Sequence, residues 1–367
     1  MKILFIADST SIHTQRWLRY FLNAGNDIYI ITLGKKRKRI EGAKHIANFD
    51  QFYYNSFSFI SVLKETRKIV RSIKPEILHG HFVHQYGWLA SLCNFHPLIL
   101  TAWGTDILSL PHASRSRIGK KLTQYALKKA DLITGTSEYL KNEMRKLGAD
   151  ENKIHVVHWG VDLDKFRPDV DTRQIREQLE IDNRPVVLSN RLHLELYNND
   201  IIIEAMYLVV KRIPEALLVL QNAGGPPDEA LIRLARDKGI NDSIRFVAQF
   251  PHDELPALYA IADLYVSVPS WDGGPVSPIE AMACGAVPII SAVPGPMEWV
   301  QDGINGTVVP VRNADKLAGA ICDLLLDVDR RKKFNRINRA LIKERGDHKA
   351  SMKQMEQLYK AIINQPV

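Results

Sequence analysis

The 367-residue chain is 46% hydrophobic and 25% charged, a composition that buries a large core, and its length suits two domains better than one. A formal net charge of +8 fits an anionic partner, yet no nucleic-acid-binding signature accompanies it. No apolar run approaches the ~18 residues of a membrane span, and Cys93, Cys284 and Cys322 lack the spacing of a disulfide framework or zinc site.

In chain order, "MKILFIADSTS" carries one Lys, a very short apolar run and an acid, so it reads as a buried first strand and not as a signal peptide. With the scattered cysteines this fits a reducing cytoplasm. "DIYIIT", "EILHGH", "PLILTAW", "DLITGTS" and "KIHVVH" follow as buried strands. Between them, Thr14 to Leu22, Ile60 to Ile73 and Ser137 to Leu147 carry apolar residues at helical spacing. The alternation pauses at "GVDLDKFRPDVDTRQ", charged and turn-rich, and restarts with "PVVLSN", "ALLVLQNAGG", "SIRFVAQF", "DLYVSVPS" and "AVPIIS". Asp347 to Ile363 reads as one final helix. Strand–helix alternation predicts parallel sheets covered on both faces, in two α/β units hinged near Val161 to Asp171. Ligands of such sheets bind beyond the carboxyl ends of the strands, so the loops after the strands are where chemistry is expected.

One of those loops is "SWDGGPVSPIEAMACG", from Ser270 to Gly285. Ser277, Pro278 and Glu280 fit a capping box at a helix start, which alone explains Glu280. It does not explain Asp272, Gly273 and Gly274. A strand, a glycine turn and a helix start together offer free N–H groups to a phosphate, with Val276, Ser277 and Ile279 as donors because Pro275 and Pro278 have none. A carboxylate beside phosphate is repelled, so Asp272 suits hydroxyl groups.

The order of strand, acid, glycine turn, second acid and "AMACG", continuing through "EAMACGAVPIISAVPGPMEWVQDGINGTVV", resembles the family 4 retaining glycosyltransferases of the GT-B architecture. The resemblance extends to "SIHTQRWLRYFLNAGNDIYIIT", "GTDI", "HWGVDLDKFRP" and "FPHDELPALYAIADLYVSVPS". It implies an α/β fold of two Rossmann-like parallel-sheet domains facing a central cleft. Residues 1–160 would bind the acceptor and 161–345 the nucleotide sugar, with a helix over 346–367 returning to the first domain. It further implies that Glu280 chelates the ribose hydroxyls and Asp272 meets the donor sugar. The glycine turn at Gly273 and Gly274 and the N–H groups of Val276 and Ser277 would take the distal phosphate. Phe250 would lie beside the base, and Arg191 in "SNRL" would stabilise the leaving diphosphate. On the acceptor side stand His13, Arg16, His81, Trp103 and Asp106.

Three features depart from the family pattern. The first acid is Asp and not Glu. Leu196 and Tyr197 stand where the family carries a Lys, so one phosphate cation is missing, and Arg16 of the other domain is the candidate substitute. Trp103 occupies a loop where the family often has His.

"HGHFVH" puts His79 and His81 on one side of a strand without a neighbouring carboxylate or thiolate, so cleft lining or packing explains them better than a metal. "DLD" (Asp162 to Asp164) reads as a hinge turn. No metal and no cofactor is expected; the nucleotide diphosphate sugar, with a UDP-sugar favoured, is a substrate. The basic runs Lys35 to Arg39 and Ser114 to Lys129 read equally as solvated surface or as attraction to an anionic membrane, where a saccharide or lipid-linked acceptor would be met. The rival readings are a nucleotide-sugar epimerase on the same architecture and a catalytically silent sugar- or lipid-binding scaffold. A dinucleotide oxidoreductase is disfavoured because "FIADSTSIHT" lacks GxGxxG.

Overall fold

The computed structural model describes residues 1–34, 38–49, 56–108 and 117–364. Lys35, Lys36 and Arg37 of the first basic run, and Arg115 of the second, lie outside these residues. The chain divides into two compact units, Met1–Trp159 with Ala350–Val367, and Gly160–Lys349.

The first unit holds a seven-stranded parallel sheet: β1 (Lys2–Ile6), β2 (Asp27–Leu33), β3 (Lys44–Phe49), β4 (Ile77–His81), β5 (Leu98–Thr101), β6 (Leu132–Gly135) and β7 (Ile154–Val156). Their order across the sheet is β3-β2-β1-β4-β5-β6-β7. β3 is the strand that hydrophobic patterning misses. It is a half-exposed edge strand whose sequence, "KHIANF", has no apolar run, because an edge strand need not be buried. The helices from Ile12 to Asn23, Ser56 to Ile73 and Glu138 to Lys146 match the three helical stretches read from the sequence. Ser137 caps the third, its side chain accepting from the Leu140 N–H at 3.0 Å. The final helix, His348–Ile363, belongs to this unit from Ala350 onward. Its fully buried Tyr359 stacks on Phe21 and takes a 3.4 Å hydrogen bond from Trp17.

The second unit holds six parallel strands: β8 (Val186–Ser189), β9 (Leu217–Gln221), β10 (Ile244–Val247), β11 (Leu264–Ser267), β12 (Val287–Ser291) and β13 (Thr307–Val309). Their order is β10-β9-β8-β11-β12-β13. Alternate residues of the central strands feed two cores. Val187, Leu218, Leu220 and Val266 face one, while Val186, Leu188, Leu217, Val219 and Tyr265 face the other. Burial on both faces is why these strands read as continuous apolar runs. Glu280 stands on a helix packed against the second core.

In both sheets the chain steps outward from the first strand in one direction and then returns to build in the other. The reversal lies between β1 and β4 in one unit and between β8 and β11 in the other. Crevices at such reversals, beyond the carboxyl strand ends, are where open α/β sheets bind ligands. The "DLD" stretch is the turn expected of it. Phe166 N–H donates to the Asp162 carbonyl at 2.8 Å, and Asp164 is ion-paired to Lys349 at 2.6 Å.

Candidate active site

In the second unit, the loops after β8 and β11 meet at the reversal point. Arg191, just beyond β8, donates to the carboxylate of Asp272, beyond β11, at 2.7 Å. Both side chains are largely buried, 10% and 13% exposed. Burial works against the Arg191 charge, but Asp272 and the nearby Tyr197 and Tyr265 outweigh it and raise the guanidinium pKa. The second Asp272 oxygen accepts the Gly274 N–H at 3.2 Å. Arg191 and Asp272 carry separate duties in the resemblance; in this structure they are also each other's partners.

The Asp272–Gly274 turn sits directly on Gly295. A Cβ added there would come within 2.5 Å of the Asp272 carbonyl oxygen and 2.8 Å of the Gly274 nitrogen. Gly274 itself has φ +138°, a conformation that excludes most side chains. The loop is thereby fixed by two glycines, one within it and one beneath it.

The capping-box expectation is corrected. The helix runs from Ser277 to Ala283 with Val276 as its N-cap and no side-chain cap hydrogen bond, so Ser277 is already helical. The helix starts one residue early because the Glu280 N–H bonds the Val276 carbonyl at 3.0 Å. Glu280 is 5% exposed, and one carboxylate oxygen accepts the Tyr259 hydroxyl at 2.9 Å while the other lies 3.9 Å from His252 Nε2. A buried carboxylate fixed by a phenol is not a surface cap. The bond belongs to a relay, in which Asn190 donates to the Tyr259 oxygen at 2.6 Å and Tyr265 donates to Asn190 at 2.8 Å. Burial first, then the Glu280 charge, pushes the Tyr259 pKa well up, so the phenol stays protonated as a donor. The relay runs from Glu280 to the residue preceding Arg191. Phe250 is 8% exposed and packs into the same core.

Tyr259, Tyr265, Asn190 and His252 escaped the sequence reading. Tyr265 lies in "DLYVSVPS", read as a buried strand where an aromatic reads as core, and nothing local marks the hydroxyl of either tyrosine as a buried hydrogen-bonding group.

In the first unit, the segments after β1, β5 and β7 bring aromatic rings together. His13 lies 4.4 Å from Trp159 and 5.9 Å from Trp103 between ring centroids, and Trp103 lies 4.9 Å from Trp159. Arg16 is half-buried one turn further along the first helix. Two acceptor-side expectations need correction. Asp106 is fully buried, and its carboxylate accepts N–H bonds from Val83 at 2.7 Å, Trp103 at 3.0 Å and Gly104 at 2.9 Å. It braces the Trp103 loop and is not open to a ligand. Burial raises its pKa to about 6 against the lowering by these N–H groups. His81 is 1% exposed, behind the loops, and neither ring nitrogen has a hydrogen-bond partner among the described residues. Burial, then the His13 charge, lowers its pKa to about 3. His79 is fully buried too, bonded to Tyr359 and, at 2.7 Å, to Thr101. These two histidines are packed core groups on one side of β4. Among the described residues no group of three or more His, Cys, Asp or Glu is placed to hold a metal ion, and no helix is long and apolar enough to cross a membrane.

Comparison with known proteins bears on the family and the fold. The family described as Glycosyl transferase 4-like matches residues 2–137, and Glycosyl transferases group 1 matches residues 171–341. The chain is 34% identical over 271 residues to the D-inositol 3-phosphate glycosyltransferase of Mycobacterium bovis, covering 68% of this chain and 54% of that protein. It is 30% identical over 233 residues to the GDP-mannose-dependent alpha-(1-6)-phosphatidylinositol monomannoside mannosyltransferase of Mycolicibacterium smegmatis, covering 61% and 58%. The matches span little more than half the length of these relatives. A glycosyltransferase from Rickettsia africae superposes with TM-score 0.82 at 19% identity over 99% of both chains. Anabaena HepE in complex with UDP and glucose does so with TM-score 0.80 at 17% identity, over 98% of this chain and all of that one, a likeness of fold alone. No epimerase is among these proteins. The chain belongs to the family 4-type glycosyltransferases and has the GT-B fold.

Proposed function

We propose that this protein transfers a hexosyl group from a nucleotide diphosphate sugar to a saccharide or lipid-linked acceptor, with retention of configuration. The observation that carries this reading is the pairing of Arg191 with Asp272 across the β8/β11 reversal, beside the buried Glu280. In this reading Glu280, held by Tyr259, takes the ribose hydroxyls. Arg191 faces the diphosphate and stabilises the charge that grows on it as the glycosidic bond breaks. The bond from the anomeric carbon to the phosphate oxygen breaks, and one to the acceptor oxygen forms on the same face. The acceptor's proton passes to the departing phosphate. No protein nucleophile is needed, and no bound metal is invoked.

The donor base is the finer question. The relatives at 30% identity or above include a GDP-mannose-dependent enzyme, whereas the UDP complex is of a protein only 17% identical. A GDP-sugar therefore comes before the UDP-sugar favoured from sequence. The acceptor loops are aromatic, which suits a ring-bearing polyol or sugar. The helix Arg117–Lys129, "RIGKKLTQYALKK", carries basic residues and no acid, which suits an acceptor displayed on an anionic membrane surface.

A thermal-shift screen with GDP, UDP and ADP tests the donor half of the reading. Ligand at about 100 times its Kd stabilises the native state by roughly 2.7 kcal/mol, several degrees in melting temperature. A shift with GDP or UDP supports it; flat melting with all nucleotides contradicts it.

A further inference from the structure

Residues 190–199 contain a single Lys or Arg, Arg191. Asp272 already neutralises it, and Arg191, Asp272 and Glu280 all act on the buried Tyr265 hydroxyl. Within this stretch, a diphosphate therefore depends on one cation being held in the right plane. The Tyr197 ring lies under that cation, 4.4 Å from its guanidinium carbon.

The turn that carries the ring is anchored on both sides. Tyr197 ends a short 3-10 turn, Glu195–Tyr197, followed by Asn198 in the left-handed region at φ 51°. The Asn198 amide donates to the Val268 carbonyl at 2.8 Å and to Ser270 Oγ at 3.1 Å, and its oxygen accepts from Arg312 at 2.8 Å. Ser270 N–H donates to the Leu196 carbonyl at 2.8 Å. The turn bearing Tyr197 is thus pinned to the same post-β11 loop that bears Asp272.

We propose that Tyr197 is a positioning residue for Arg191. Its ring holds the face of the guanidinium while Asp272 holds one edge, which leaves the remaining N–H groups directed at the diphosphate. A guanidinium held against an aromatic ring keeps its charge but loses rotational freedom, and less reorganisation is then needed as the leaving group gains charge. Tyr197 in this way orders the single cation of this stretch without itself carrying a charge. The inference rests on the donor reading given above.

Steady-state transfer is measured for the wild type, Tyr197→Leu and Tyr197→Phe with GDP-mannose and UDP-glucose as donors, alongside melting temperature and nucleotide affinity. Activity of the wild type comes first, since its absence with every donor refutes the donor reading and not the role of Tyr197. Given an active wild type, Tyr197→Leu lowers kcat by about tenfold with less than about a threefold change in donor KM, and Tyr197→Phe restores most of that loss. Equal kcat in wild type and Leu variant overturns the proposal. So does an equal loss in the Leu and Phe variants, which assigns the effect to the hydroxyl. If Tyr197→Leu melts too low to assay, Tyr197→Phe and Tyr197→Trp decide: both keep an aromatic face and both must retain turnover, and a loss in both overturns it.

Discussion

The Arg191 guanidinium and the Asp272 carboxylate close a 2.7 Å ion pair between the loops that follow β8 and β11, the two strands between which the second sheet reverses direction. Because both side chains are mostly buried, removing one leaves the other an uncompensated buried charge. Asp272→Ala is therefore expected to cost stability, about 3 kcal/mol, as well as activity. Arg191→Ala is expected to reduce turnover by about tenfold or more at saturating donor. Urea unfolding and steady-state kinetics check the two. Near-normal turnover in Arg191→Ala contradicts its role on the diphosphate.

Glu280→Gln separates binding from structure. The Gln oxygen still accepts from Tyr259 Oη–H, so melting temperature is expected to move little. Nucleotide affinity falls by about tenfold, as for loss of a charged hydrogen-bond acceptor. Calorimetry with the nucleotide that binds the wild type gives the answer. A large fall in melting temperature with unchanged affinity contradicts it.

Gly295→Ala probes the loop from beneath. The new Cβ meets backbone at 2.5 Å, so the Asp272–Gly274 turn has to shift. Donor binding is expected to weaken by about tenfold, while far-ultraviolet circular dichroism stays that of the wild type. Unchanged donor affinity shows that the turn is not part of the binding surface.

Acid sensitivity follows from the buried histidines of the first unit. Burial lowers His79 well below 6.5, His81 to about 3 and His84 to about 4. As pH falls through about 6.5, the unfolded chain takes up protons that the folded chain refuses, so stability is full above that value and declines below it. Asp106, raised to about 6, acts in the opposite sense between its unfolded value and about 6, but it is one group against several, His155 also being lowered by burial. Denaturation midpoints should fall from pH 7 to pH 5. They should fall less in His81→Leu, by up to ~1.4 kcal/mol per pH unit. Parallel profiles for the two proteins contradict this.

The membrane expectation is tested with vesicles. Binding to acidic vesicles should weaken with salt and with replacement of Lys120, Lys121, Lys128 and Lys129 by Ser, while nucleotide affinity holds. Equal partitioning onto neutral and acidic vesicles, or none onto either, points to a soluble acceptor.

The parallel sheets were legible because strands buried on both faces have to be apolar throughout, as "KILFIA" and "PVVLSN" are. The edge strands β3 and β13 were not, since "KHIANF" is only half buried and "TVV" is a three-residue strand. The candidate site was legible only as separate residues. Arg191, Asp272 and Glu280 could be named, but their pairings could not, because the Arg191–Asp272 and Tyr259–Glu280 contacts join distant segments. Ser277 looked like a cap because Ser precedes Pro. The backbone instead becomes helical at Val276, a difference that residue preferences do not resolve. Asp106 looked like a ligand group, yet its three N–H partners come from two loops, which no local pattern records.

The central claim is donor-sugar transfer dependent on Arg191. Its most direct measurement is release of nucleotide diphosphate from GDP-mannose and UDP-glucose by the purified wild type, with phosphatidylinositol-containing vesicles or free inositol phosphate as acceptor, beside Arg191→Ala. Acceptor-dependent release from one donor, accompanied by a glycosylated product of matching mass and reduced by about tenfold or more in the variant, is the expected result. Release that is equal in both proteins, or no release from either donor in a wild type that also binds no nucleotide, contradicts the claim.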